Sequence, residues 1–242
     1  MKILINYAHN IYQKAQLKNC TTGLECGGFD MVIKYKFEHI DNEFYNKNKH
    51  ILDQDRGAGY WLWKPYFIKK TMVEKMNDDD ILYYCDAGHC FYNNIDHYIP
   101  HMENTEHKFL TFGDPVNALK IATKRDTLQY MNADTEFYHQ RNQSFYATWF
   151  LLKKNKFTLN FIEEWLEYSQ DYRLITDSPN ECGLPNYPEF IDPRHDQSIF
   201  NILCLKYNLP DPILMATQYN HGNPGTKIDY QIMIYNGRKN TE

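Results

Sequence analysis

The chain has no apolar run long enough to cross a bilayer as a helix. Such a span needs roughly 18 apolar residues, and the longest run here, residues 145–152, suits a buried strand. None of its six cysteines (Cys20, Cys26, Cys85, Cys90, Cys182, Cys204) forms a Cys-x-x-Cys pair. That spacing argues against a structural zinc site and for free thiols in a reducing compartment. There is no run of five like charges, and 26 basic residues against 31 acidic ones give a net charge of −5. Nucleic acid is therefore not an expected partner. No internal repeat or low-complexity tract interrupts the chain. The opening Met1-Lys2-Ile3-Leu4-Ile5-Asn6 turns polar too soon for a signal peptide, so a cytoplasmic location is expected.

What is present is an ordinary globular composition with many rings. The 242 residues are 43% hydrophobic and 24% charged, enough for a substantial core. Twenty tyrosines and four tryptophans offer faces that stack on sugars and bases. Asn, Lys and Ile are abundant too, so codon bias accounts for part of the tyrosine, and composition alone does not decide a function.

Strand and helix patterns alternate. Residues 2–7 read as a strand, residues 11–19 as a weak helix, residues 31–36 as a second strand, and residues 42–52 as a polar helix. Pro65 suits the first turn of a further helix, whose apolar stripe is Ile68, Met72 and Met76. Residues 81–85 form a short apolar run without alternation, which suits a strand covered on both faces. The first third is thus βαβαβ, which predicts an α/β fold with a mostly parallel sheet flanked by helices. In the second half, residues 108–112 and 146–152 read as strands. Leu159, Ile162, Trp165 and Leu166 mark one helix face, and Phe200, Leu203, Cys204 and Tyr207 another. Between them, residues 177–193 hold four prolines and read as a long ordered loop.

Four constellations carry chemistry. Asp86 follows the central strand, where open parallel sheets bind ligands. It can take a sugar hydroxyl or a divalent metal, or simply cap a turn. In the segment from Arg56 to Lys64, Gly57, Ala58 and Gly59 allow close backbone approach. Tyr60, Trp61 and Trp63 offer ring faces, and Arg56 and Lys64 offer cations for phosphate. The alternative is core tryptophans and solvated cations. In His195-Asp196-Gln197-Ser198, an N-cap at Asp192 with Pro193 first in the helix puts Asp196 and Gln197 in the first turn. There they face a cleft, or Asp196 is a plain first-turn acid. Finally, His221 and Lys227 flank a Gly/Pro turn and can meet on one anion; ordinary turns look the same.

Together, Arg56-Gly57-Ala58-Gly59-Tyr60-Trp61-Leu62-Trp63-Lys64-Pro65, Asp80-Ile81-Leu82-Tyr83-Tyr84-Cys85-Asp86-Ala87-Gly88 and His195-Asp196-Gln197-Ser198-Ile199-Phe200 resemble a group of GT-A-fold glycosyltransferases from bacterial polysaccharide clusters and large DNA viruses. The resemblance covers about residues 1–210, and Trp-Leu-Trp-Lys-Pro is its most specific part. It implies a Rossmann-like nucleotide-sugar fold over residues 1–242, with a donor half (1–115), an acceptor and catalytic half (116–236) and a short tail (237–242). The donor nucleotide, with uridine the expected base, would lie near Tyr7, Ala8 and Tyr12. Lys64 would hold the donor, with Arg56, Tyr60 and Trp61 beside it. Asp196 and Gln197 would face the donor sugar. His221 and Lys227 would grip metal and diphosphate, and the acceptor would be a glycan or protein-linked hydroxyl.

The sequence departs from the family where many members carry Asp-x-Asp: here it is Asp86-Ala87-Gly88. Mn²⁺ or Mg²⁺ on Asp86, His221 and the diphosphate is the favoured expectation. The alternative puts Asp86 on ribose and leaves the leaving group to Lys64 and Lys227. Glycosyl transfer needs a carboxylate near the anomeric carbon, for which Asp196 is the first candidate and Asp177 the reserve. Two other classes stay open: a non-catalytic module that binds nucleotide sugar or glycan, and a metal-dependent phosphohydrolase using Asp86, His89 and His221.

Overall fold

The computed structural model describes residues 1–116, 118–214 and 233–235. A six-stranded sheet organises them, in the order β2-β1-β3-β6-β5-β7. Its strands are β1 (Lys2–Tyr7), β2 (Met31–Tyr35), β3 (Ile81–Cys85), β5 (Phe109–Asp114), β6 (Ser144–Lys153) and β7 (Ile213–Leu214). Between β3 and β5 the short β4 (His89–Phe91) pairs with β8 (Met233–Tyr235) in a second small sheet. β1 runs parallel to β2 and β3, and β5 to β7, while β6 is antiparallel to both β3 and β5. Five strands therefore share one direction and β6 alone is reversed. The expected mostly parallel sheet is present, with one inversion that the pattern of residues 146–152 did not announce.

Side-chain alternation sorts the sheet into two cores. Ile3, Ile5, Leu82, Tyr84, Phe150 and Leu152 point to one face, against the helices Trp63–Glu74, Lys156–Ser169 and Asp196–Lys206. Leu4, Tyr83, Cys85, Phe112, Trp149 and Leu151 point to the other, against Phe29, Phe91, Ile95 and Met102. β3 is buried on both faces, as its unbroken apolar run predicts. Ile68, Met72 and Met76 are all buried, as expected of a core stripe. The helix Gln13–Glu25 starts later and runs six residues further than its weak pattern suggests. Its inner face is polar: Gln16 Nε2 donates to Asn6 Oδ1 (2.9 Å), and Asn19 Nδ2 to the carbonyl of His89 (2.9 Å). An apolar-periodicity reading misses such a face.

The helix start at Asp192 and Pro193 is corrected. The helix begins at Asp196, because His195 adopts φ 49°, ψ −115° and breaks the helical path. Upstream, the amides of Ile191 and Arg194 donate to the carbonyls of Ile121 and Ala122, which holds this stretch beside its neighbour rather than in a coil. The helix Asp196–Lys206 is also buried almost all round, so Ser198 and Asn201 face protein as Phe200 and Leu203 do. Residues 177–193 are indeed without helix or strand. They are pinned by Asp126, whose buried carboxylate accepts from the amides of Glu181 and Cys182, and by Lys124, which donates to the carbonyl of Ser178 (2.6 Å). Among the described residues no disulfide joins the cysteines, and no helix is long and apolar enough to cross a membrane.

Asn201 joins this buried helix to the reversed strand. Its amide donates to the carbonyl of Phe145 (2.8 Å) and accepts from the amide of Phe145 (2.7 Å). We expect Asn201→Leu, similar in size, to strand both backbone groups and cost about 3 kcal/mol in urea unfolding. A loss below about 1 kcal/mol would show that the bridge is dispensable.

Candidate functional site

The carboxyl ends of β1 and β3 lie side by side, because the two strands pair in parallel register. Tyr7 ends β1 and Asp86 follows β3. Over them lies the start of the helix Trp63–Glu74. Trp63 stacks on Tyr7, with ring centroids 4.0 Å apart and planes 23° apart. Lys64, the next residue, turns inward and is buried. Its ammonium lies 2.6 Å from Asp196 Oδ2 and 3.7 Å from Asp86 Oδ1. Tyr84, two residues before Asp86 on the same face of β3, donates to Asp86 Oδ1 (2.7 Å). The carbonyl of Asp196 accepts from Trp165 Nε1 (3.0 Å), which fixes the first turn of its helix.

Asp196 is almost closed to solvent. Burial pushes its carboxyl up to about 6, and the Lys64 ammonium only partly offsets this. A raised carboxyl favours the folded state while protonated. That stability is full below about pH 4 and is lost as pH rises through about 6.

A second group adjoins the first through His195. Residues 57–61 trace a left-handed turn: Gly57, Ala58, Gly59, Tyr60 and Trp61 have φ of 60°, 50°, 93°, 51° and 61°. Non-glycine residues in that region cost about 1–2 kcal/mol each. The two glycines are required by space as well. A Cβ on Gly57 would lie 2.4 Å from the Trp61 ring, and one on Gly59 2.8 Å from Leu52 Cα. The close approach expected of these residues is thus made to the chain itself. The turn sets Tyr60 and Trp61 against the His195 ring, at centroid distances of 5.1 and 5.2 Å. Tyr60 Oη donates to Asp177 Oδ2 (3.2 Å). Arg56 bridges Asp177 (3.1 Å) and Asp192 (2.9 Å). His195 Nδ1 lies 2.8 Å from the carbonyl of Ile175, and Nε2 lies 3.8 Å from Asp177 Oδ1.

Most of the expected residues therefore gather into two adjoining groups: Lys64, Asp86 and Asp196, and Arg56, Tyr60, Trp61 and Asp177. Ala8 is buried just beyond β1, its amide donating to the carbonyl of Tyr35 (3.2 Å). Tyr12 is half-buried in the turn Asn10–Tyr12, and no described contact joins it to either group. Gln197 accepts from the amide of Ala147 (3.4 Å) and so is engaged with β6. His221 and Lys227 lie outside the described residues. The cations Arg56 and Lys64, read as phosphate donors, are both paired with carboxylates here. Tyr84 was missed, although alternation along β3 places it on the face of Asp86. The motif His195-Asp196-Gln197-Ser198 assigns His195 no role, and nothing in the sequence announces its backbone conformation.

The described residues do not by themselves make a divalent-metal site. No group of three or more His, Cys, Asp or Glu converges among them. Asp86 Oδ1 already faces Tyr84 and Lys64, and Asp196 is taken by Lys64. His89 Nδ1 meets the backbone carbonyl of Asp86 (2.8 Å), not its carboxylate. Comparison of the chain with protein-family models and with curated proteins finds no match.

The Asp196 environment is open to direct test. Between pH 4 and 7 the wild type is expected to lose about 3 kcal/mol of unfolding free energy relative to Asp196→Asn, following a carboxyl displaced to about 6. Parallel pH profiles for the two proteins would contradict the buried, displaced carboxyl.

Proposed function

We propose that this chain is a nucleotide-sugar-dependent glycosyltransferase of the GT-A type, with a UDP-sugar the expected donor and a glycan or protein-linked hydroxyl the acceptor. The observation that carries the reading is the lysine-centred pair of carboxylates beside stacked rings at the ends of β1 and β3. Carboxylates accept from sugar and ribose hydroxyls, and aromatic faces suit flat or apolar ligand faces. Ligands of open α/β sheets bind at this end.

In this reading Asp86 takes ribose hydroxyls and Asp196 opposes the positive charge that develops at the anomeric carbon. Lys64 keeps both oriented. Its ammonium faces both carboxylates, and with three N–H groups to give it would also donate to a phosphate oxygen of the leaving nucleotide. The manganese or magnesium ion that the resemblance implies would take Asp86 in place of the ribose, together with His221. The described donor set does not complete the coordination of such an ion. A phosphohydrolase is less well supported, since the described residues bring together no group of three or more His, Cys, Asp or Glu to hold its metal. One observation favours a non-catalytic binding module: Arg56 and Lys64 are already neutralised by carboxylates.

A panel of UDP-, GDP-, dTDP- and CMP-sugars, with Mn²⁺ and with EDTA, separates these readings. The expected outcome is release of one nucleotide, reduced at least about 100-fold in Asp86→Asn and in Asp196→Asn, with near-UV circular dichroism unchanged. Release that survives EDTA keeps the transferase without the metal. Saturable binding of a donor with no release would replace the transferase with the binding module. Inorganic phosphate or sugar phosphate as product would favour the phosphohydrolase.

A further inference from the structure

His195 and Asp177 form an arrangement that the donor-side reading leaves unused. The His195 ring is buried and clamped by Tyr60 and Trp61 on a strained backbone. A carbonyl can only accept, so the Nδ1–H donates to Ile175, and the neutral ring carries its lone pair on Nε2. Nε2 is buried and has no hydrogen-bond partner among the described residues. The nearest ionisable atom shown for it is Asp177 Oδ1, at 3.8 Å. Two acceptors facing each other are short of one proton.

Asp177 is placed to deliver that proton. Its side chain is 35% exposed, whereas that of Asp196 is 6% exposed and closed by Lys64. Arg56 and Tyr60 hold the Asp177 carboxylate in place and orient it. The charged and titratable groups around the imidazole are Asp177 and Asp192 from the long loop, Arg56 and Tyr60 from the left-handed turn, and Asp196 next in the chain. Burial lowers the basicity of His195 and the Asp177 carboxylate raises it, so the ring is neutral at rest.

We propose that Asp177 is the catalytic base for the acceptor hydroxyl and that His195 is its positioning residue and second proton acceptor, an inference that rests on the transferase reading. The acceptor O–H breaks as its oxygen bonds to the anomeric carbon. The bond from that carbon to the phosphate oxygen breaks, and its electron pair leaves with the nucleotide. The proton passes to Asp177 and on to His195 Nε2, and returns to water after product leaves. This is a single displacement, with the activated oxygen entering on the face opposite the leaving nucleotide, so it inverts the anomeric carbon.

Two measurements on the full chain test this. In ¹⁵N-edited NMR of the histidine rings, His195 is expected as the Nδ1–H tautomer, and Asp177→Asn is expected to lower its titration midpoint by about half a pH unit or more. In donor hydrolysis with water as acceptor, the first sugar released is expected to be inverted. Asp177→Asn and His195→Gln should each lower kcat about 100-fold with donor KM unchanged, and the double variant should fall no further than Asp177→Asn. An Nε2–H tautomer, an unmoved midpoint, retained configuration or additive losses would overturn the proposal. If His195→Gln fails to fold, Asp177→Asn carries the kinetic arm. If the wild type releases no nucleotide from any donor, the transferase reading fails, and with it this use of the pair; the NMR arm still decides whether the pair shares a proton.

Discussion

A buried ammonium held between two carboxylates is the interaction on which the rest of this site depends. Burying a lysine or an aspartate alone costs several kcal/mol, and burying the pair is tolerable only with close geometry and further hydrogen bonds. Here the contact is 2.6 Å, Tyr84 braces the second carboxylate, and Trp165 holds the Asp196 backbone. The ion pair links the start of the helix Trp63–Glu74 to the start of the helix Asp196–Lys206 across the end of β3. Removing one partner of such a pair typically costs about 3–5 kcal/mol. This one contact thus couples the first turns of the two helices and sets the charge between them.

Local strain supplies the second constraint. The left-handed turn at residues 57–61 and the unusual backbone of His195 each cost conformational energy. They face each other, with Trp61 stacked on the His195 ring and Tyr60 tilted against it. What the strain gains is placement. Consecutive side chains, His195 and Asp196, enter two different polar groups. Trp61 and Trp63 likewise serve different partners, His195 and Tyr7. A regular helix start at Asp192 would have put these side chains elsewhere.

Much of this was legible in the sequence where the signal is periodic. The unbroken run at residues 81–85, the stripe of Ile68, Met72 and Met76, and the strand at residues 2–7 follow from burial alone. The grouping of Lys64, Asp86 and Asp196 was foreseen as a set of candidates, since all three fall at element ends. The reversal of β6 was not foreseen, because a strand's residues do not encode the direction of its neighbours. The polar face of the helix Gln13–Glu25 was missed for a related reason: Gln16 and Asn19 are satisfied by groups far away in sequence. The start of the last helix was misread because Asp192 followed by Pro193 imitates a cap, while Asp192 in fact pairs with Arg56, 136 residues earlier in the chain.

In the function proposed here the lysine-centred carboxylates take a ligand rich in hydroxyls, and the Asp177–His195 group lies directly beside them. The central claim is that a nucleotide sugar binds against Trp63, Lys64, Asp86 and Asp196. Titrating nucleotide sugars into isotope-labelled protein, and following the Trp63 indole and the two carboxyl carbons by NMR, tests it most directly. The account predicts that one donor shifts all three signals along a single saturable curve, with Lys64→Met abolishing the response. Saturable shifts confined to other parts of the protein, or no response to any donor, would contradict it.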